Sequence, residues 1–389
     1  YQNDGICFEL QIAKTNIPVF LEKIGFLGSH YREKAEILKT KEYYRETFED
    51  EIKEISFVGE KSVYDLTEAV THSFVANGIV ISNCGEQFLH AYDNCNLGSI
   101  NLAKLVAHQE IDWERLRFVT RTAVRLMDNV IDKFDFPVPQ VTELAKKNRR
   151  IGLGIMGFGD MLYQMGIRYD SPKGIQTAEE VMGFINEEAH KMSEELAREK
   201  GEFPNSDRSI FPAQGVKRRN AALTTVAPTG SISMMFDCSS GVEPNFALAY
   251  IKQDKDGQQY RYFNQHFQQA LDKLELGDVQ QKEIMDVVMA KGSIQGVSWL
   301  PQEVRDTFVV AMDISGQAHM EMQAAFQRHV DNSISKTINF PYSATREEVA
   351  ASFISAWKLG CKSCTVYRDG SRTIQILNVG SGDNIVSTT

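Results

Sequence analysis

An α/β fold with a parallel sheet is predicted for most of this chain. From residue 84 onward, amphipathic helical stretches alternate with short apolar strand candidates, the pattern of βαβ units. Residues 51–83 read differently: short β-branched runs with turn residues between them predict a small, mostly β patch. The 389 residues suffice for a sizeable core and two or three domains.

Taken in order, "CFELQIAKTNIPVFLEKIGF" (7–26) carries a strand-like run and then helical spacing, and "SHYREKAEILKTKEYYRETFEDE" (29–51) a charged amphipathic helix. In the β patch, Asn77-Gly78 between apolar runs is a hairpin turn signal. Ser99 is placed to cap a helix beginning near Ile100. "DWERLRFVTRTAVRLMDNVIDKF" has Asp112 as a cap and a clear apolar stripe. A second long helix opens at Ser171-Pro172 and ends at Gly201. "AALTTVA" (221–227) is a buried-strand candidate. "TREEVAASFISAWKLG" is a helix stopped by Gly360, and the strand "CTVYRD" follows it.

The net charge of −10 argues against a general nucleic-acid or membrane-surface binder. No apolar run is long enough to cross a bilayer, and no signal-peptide pattern is present. Six Cys without a regular framework suggest a reducing, cytoplasmic setting in which single thiols matter for chemistry. The start at Tyr1 suggests a fragment or the product of an upstream cut.

At Asn83-Cys84 an amide side chain precedes a thiol. An Asn amide can attack its own backbone carbonyl and release the following peptide bond, and a Cys there can take up an acyl group. Asp65 and His72 lie on the same β patch, and His is the usual acid–base residue near neutral pH. On composition alone an ordinary hairpin with a surface Asn and a stray His is the favoured explanation of these residues. Their order decides otherwise. "SVYDLTEAVTHSFVANGIVISNC" resembles the C-terminal splicing region of an intein, with Asp65, His72, Asn77-Gly78, Asn83 and Cys84 matching in order and spacing. One departure is Ser82, where the family usually has His. Residues 1–50 more weakly resemble the remnant of a nested homing endonuclease, without its DNA-cutting acidic motifs, so no nuclease activity is expected. The mostly β remnant of Hint type would thus occupy 51–83.

After the junction, "CGEQ" and "NCNLGSINL" bring Cys84, Glu86 and Cys95 into one short stretch. "TTVAPTGSIS" sets a turn directly after an apolar strand. Its backbone N–H groups and the hydroxyls of Thr229, Ser231 and Ser233 suit a phosphate, without the Lys of a Walker A site. Together with "RRIGLGIMGFGDML", "CSSGVEPNFAL", "SKTINFP" and "GCKSCTVYRDGSR", these segments resemble the adenosylcobalamin-dependent (class II) ribonucleotide reductases over residues 84–389.

The resemblance implies the second half of a ten-stranded α/β barrel. It implies Cys84 as the radical thiol, Glu86 as general base on the ribose 3′-hydroxyl and Cys95 as one of two thiols oxidised to a disulfide. It implies phosphate binding by Pro228, Thr229, Gly230, Ser231, Ile232 and Ser233. It further implies a ribonucleotide substrate, adenosylcobalamin, a dithiol reductant such as thioredoxin, and an N-terminal half of the same protein upstream. It allows a homodimer, and it names no nucleic-acid or membrane partner. A splicing element fused to a non-catalytic α/β nucleotide-binding domain is the alternative.

"GLGIMGFG" contains the G-x-G-x-x-G pattern at Gly152, Gly154 and Gly157, but "LAKKNRR" before it reads as a charged helix end. The expectation is close helix packing, not dinucleotide binding. Cys361-x-x-Cys364 lacks a second pair for zinc and is expected to be structural, and no metal site is expected. His90, His319 and Cys238 read as packing or surface residues, and the Met-rich stretches as core filling.

Overall fold

The structure is a computed structural model describing residues 73–76, 79–82, 85–253, 259–369 and 377–378. The chain divides into two compact units, Tyr1–Leu66 and Thr67–Thr389, and the described residues all belong to the second. The expected endonuclease remnant, Asp65, His72, Asn83 and Cys84 lie outside the described residues.

Strands β1 (Ser73–Ala76) and β2 (Ile79–Ser82) pair antiparallel, with Ala76 opposite Ile79 and Ser73 opposite Ser82. Two positions separate them, as the Asn77-Gly78 signal requires. Strand β3 (Leu97–Asn101) contains Ser99, which therefore caps no helix. The cap lies two residues later, where the Asn101 side chain accepts from Ala103 N–H ahead of a single 3-10 turn. Ile100 is buried on the sheet, and pairing to a neighbouring strand overrode the local cap signal.

A short hairpin, β4 (Val106–Ala107) and β5 (Glu110–Ile111), leads to α1 (Trp113–Asp132), whose Asp112 cap accepts from Arg115 N–H. Helix α2 (Pro139–Asn148) ends at Arg149, and β6 (Gly152–Met156) follows with all five residues buried. This corrects the reading of "GLGIMGFG": the first two glycines lie on a buried strand, and Gly157 (φ 75) caps α3 (Phe158–Met165). The charged run before it had masked a strand of only five residues. Helix α4 (Pro172–Lys200) has the expected Ser171 cap and ends at Gly201.

Four further helices and a hairpin follow the short α5 (Gly230–Met235). They are β7 (Ala249–Gln253) with β8 (Gln259–Phe263), then α6 (Gln265–Asp272), α7 (Asp278–Lys291), α8 (Gln302–Thr307) and α9 (Gly316–Gln327). Strand β9 (Thr337–Phe340), α10 (Arg346–Lys358) and β10 (Thr365–Arg368) complete the main body, and β11 (Leu377–Asn378) pairs with β7.

The central sheet is parallel. β3 pairs with β6, Leu153 bridges Thr224, Val226 bridges Ile334, and β9 pairs with β10. The expected 221–227 strand thus joins the sheet between β6 and the segment leading into β9. Its two faces differ in kind. Ile100, Leu153, Ile155, Val226 and Ile334 join one apolar cluster with α1, α3 and α4. The alternate residues Ser99, Gly152, Gly154, Thr225, Ser333 and Ser335 are small and occupy the other, inner face. Met161, Met182 and Met322 are fully buried in the cluster, as core filling requires. Among the described residues no helix is long and apolar enough to cross a membrane.

Candidate active site

The stretch after Cys84 runs against the inner face. The Glu86 carbonyl accepts from Ser333 N–H at 2.9 Å, and the Thr225 hydroxyl lies 2.7 Å from the same oxygen. A Cβ added at Gly85 would stand 3.6 Å from Ser335, at ordinary contact distance. Gln87 is 2 % exposed and fills the space that Gly152 leaves open: a Cβ there would stand 2.2 Å from Gln87 Nε2 and 2.5 Å from Thr225 Cγ2. A glycine is needed at that point of the strand because a side chain from another segment already occupies its place. Glu86 is thereby held by its main chain, and the residue is half-buried.

Cys95 is exposed and lies between two anchors. On one side Asp93 accepts from Arg150 Nε at 3.1 Å and from Asn148 Nδ2 at 3.2 Å. On the other, the Asn96 carbonyl accepts from Gly152 N–H at 2.8 Å and its Nδ2 donates to the Met127 carbonyl at 2.9 Å. Cys95 and Gln87 therefore both approach the start of β6.

The turn Pro228–Ser233 leaves the opposite, C-terminal end of the 222–226 segment. Three residues separate Thr225, which holds Glu86, from Thr229, a span of at most about 13 Å along an extended chain. Thr229 and Ser233 are buried and bonded within the fold. Thr229 Oγ1 accepts from Gly241 N–H at 2.8 Å, and Ser233 Oγ lies 2.8 Å from Ser240 Oγ. Gly230, Ser231 and Ile232 are exposed. The structure thus gathers Glu86, Cys95 and the turn on one parallel sheet, at three heights along its strands.

The N-terminus of α3 is closed to a pyrophosphate. Gly157 N–H donates to the Ser239 carbonyl at 2.7 Å, Gly159 N–H to Ser239 Oγ at 3.0 Å, and Asp160 accepts from Ser239 N–H at 2.5 Å. Burial pushes the Cys238 thiol up to about 12, and those of Cys361 and Cys364 to about 11 and about 12. All three are protonated packing residues at neutral pH, as expected. No group of three His, Cys, Asp or Glu suited to a metal occurs among the described residues.

Sequence reasoning did not single out Glu243, Lys336 or Asp160, and it gave His319 only a packing role. Burial lowers Lys336, and the Glu243 carboxylate at 2.7 Å opposes that shift. Burial, and then the Lys336 charge, push His319 down to about 2. The available signal was a Lys within an alternating, strand-like run, "SISKTINF".

The family described as "Ribonucleotide reductase, barrel domain" matches residues 29–216 and 213–367. A protein of Thermoplasma acidophilum named vitamin B12-dependent ribonucleoside-diphosphate reductase is 45 % identical over 301 residues, covering 77 % of this chain and 39 % of that protein. One of Mycobacterium tuberculosis with the same name is 43 % identical over 296 residues, covering 76 % of this chain and 42 % of that protein. The chain thus spans about two fifths of the length of these relatives. Among solved structures, the Actinobacillus ureae class Id ribonucleotide reductase alpha subunit superposes with a TM-score of 0.58 at 24 % identity, covering 71 % of this chain and 50 % of that one. The chain belongs to the ribonucleotide reductase barrel family.

Proposed function

We propose that residues 84–389 supply the second half of the catalytic barrel of an adenosylcobalamin-dependent ribonucleotide reductase, joined to its upstream half after splicing between Asn83 and Cys84. The observation that carries this reading is the pinning of Glu86, two residues after Cys84, between Thr225 and Ser333 on the inner face. Five parallel segments in sequence order (β3, β6, 222–226, 333–340 and β10) are the number one half of a ten-stranded barrel requires.

In this reading Cys84 abstracts the ribose 3′ hydrogen as a thiyl radical. Glu86 takes the 3′-hydroxyl proton, a task for which a carboxylate is suited because it accepts a proton without yielding a hydrogen atom. Cys95 and a thiol from the upstream half become a disulfide as the 2′-hydroxyl leaves, and a dithiol such as thioredoxin restores them. The exposed amides of Gly230 to Ile232 receive the phosphates. Relatives named ribonucleoside-diphosphate reductases favour a diphosphate substrate. Adenosylcobalamin supplies the initiating radical through its cobalt–carbon bond. A corrin carries its own nitrogen ligands to cobalt, so the site needs room and not a ligand set. The half-exposed small residues Gly85 and Ser335, close to each other at the Glu86 loop, fit that need.

The β1–β2 hairpin supports the splicing reading. Its last pair is Ser73 with Ser82, which His72 precedes and Asn83 follows in the sequence. Asn83→Ala is expected to abolish cleavage at the 83/84 bond, and continued cleavage there would refute Asn cyclisation. For the reductase reading, the processed full-length protein is given adenosylcobalamin, a ribonucleoside diphosphate and a dithiol. Deoxynucleotide is expected, and its absence with all thiols intact sinks the reading.

A further inference from the structure

Within the turn Pro228–Ser233, Ser233 N–H donates to the Thr229 carbonyl at 2.9 Å, and further support comes from another segment. Thr229 has φ 50, in the left-handed region that is unfavourable for a non-glycine residue. The supporting segment is Cys238–Glu243. Gly241 N–H donates to Thr229 Oγ1 at 2.8 Å, the Ser240 and Ser233 hydroxyls are 2.8 Å apart, and Cys238 N–H donates to the Ser233 carbonyl at 3.0 Å.

That segment is tied down from outside. Near its start, Ser239 is fixed to Asp160 and Gly159 at the head of α3. The Val242 carbonyl accepts from the Tyr169 hydroxyl at 2.6 Å. At its end the Glu243 carboxylate spans two groups at the start of β9. One oxygen accepts from Lys336 Nζ at 2.7 Å and the other from Thr337 N–H at 2.6 Å. Lys336 is 1 % exposed and has a second acceptor in His319 Nδ1 at 2.9 Å, while His319 Nε2 faces the Ala311 carbonyl at 3.0 Å. Replacing a buried ion pair by apolar residues is often neutral for stability, so stability alone does not account for its presence.

Lys336 and Thr337 lie at the end of the segment that begins at Ser333, whose N–H holds Glu86, and that leads into β9. Both ends of the proposed site are thus fixed to one segment, Glu86 directly and the turn through Cys238–Glu243.

We propose that Glu243 and Lys336 are positioning residues for the substrate's phosphates: their ion pair sets the Cys238–Glu243 segment, and through it the Pro228–Ser233 turn, at a fixed place relative to Glu86. This rests on the phosphate-binding role given to the turn above.

The test uses the processed full-length enzyme as wild type, as Glu243→Gln/Lys336→Met, and as Ser240→Ala. The double variant leaves no unpaired buried charge. The mild Ser240→Ala variant keeps the test open where the double variant fails to fold. Affinity is read for a ribonucleoside diphosphate and for the same ribonucleoside without phosphates, each as a competitive inhibitor. Wild type is expected to prefer the diphosphate. The double variant is expected to lose about tenfold in diphosphate affinity while nucleoside affinity moves less than about twofold. Ser240→Ala is expected to shift in the same direction by a smaller factor. Equal losses for both ligands, or no loss for either, overturn the positioning role. If wild type itself does not distinguish diphosphate from nucleoside, the phosphate-binding role of the turn fails first and the proposal falls with it.

Discussion

The main-chain N–H of Ser333 donates to the Glu86 carbonyl at 2.9 Å, tying a loop that starts at the expected radical thiol to the strand segment leading into β9. The tie is made by the backbone, so it survives replacement of the Glu86 side chain. Glu86→Gln is expected to lower kcat by about 10²–10⁴ with KM changed little, the signature of a lost general base. Steady-state kinetics of the processed full-length enzyme checks this. A rise in KM with unchanged kcat would instead assign Glu86 to binding.

Gly154 tests the sheet itself. A Cβ there would lie 2.2 Å from the Thr225 carbonyl oxygen, so β6 and the 222–226 segment must separate to admit it. Gly154→Ala is expected to cost on the order of 1–3 kcal/mol. Gly230→Ala meets nothing within 4 Å and serves as the control. Thermal unfolding of the two variants side by side gives the comparison.

Much of this scaffold was legible in the sequence because its signals are local. Asp112, Ser171 and Gly360 each mark a helix end by chemistry within a turn of the chain, and each stands where expected. Ser99 and the Gly152 to Gly157 run were misread because their environment is made by distant strands. Gly152 is explained by Gln87 and Thr225, neither of which is near it in sequence. Glu86 and Cys95 were found by their motif, and the structure adds what holds them. Glu243 and Lys336 were missed because an ion pair spanning 93 residues leaves no periodic trace.

His319 gives a pH dependence with a definite sign. Burial and Lys336 push it down to about 2, against an ordinary value of 6.5, so it stays neutral in the folded chain while the unfolded chain takes up a proton below 6.5. Its contribution to stability is fully present above pH 6.5 and declines as pH falls from there toward 2. Between pH 7.5 and 5.5 it is expected to remove about 1 kcal/mol. Urea unfolding at the two pH values should show this loss in wild type and a smaller one in His319→Gln.

The thiols should separate by reactivity. Cys95 is exposed, whereas burial raises Cys361 from 9.0 to about 11 and Cys364 to about 12. At pH 8 a two-unit rise leaves about a hundredfold less thiolate. Alkylation followed by peptide mass spectrometry is expected to label Cys95 first, with Cys361 and Cys364 gaining label only as the pH is raised toward 11. Early labelling of Cys361 and Cys364 at pH 8 would contradict their assignment as buried structural thiols.

The most direct test of the central claim is the rate of deoxynucleotide formation by the full-length protein, produced with its upstream half joined directly to residue 84 and supplied with adenosylcobalamin, a ribonucleoside diphosphate and a dithiol. With Cys84 present, product is expected at a steady rate. With Cys84→Ser, which keeps the shape of the side chain and removes the thiol, product should fall to background. Undiminished product from Cys84→Ser would show that the radical chemistry does not pass through this residue.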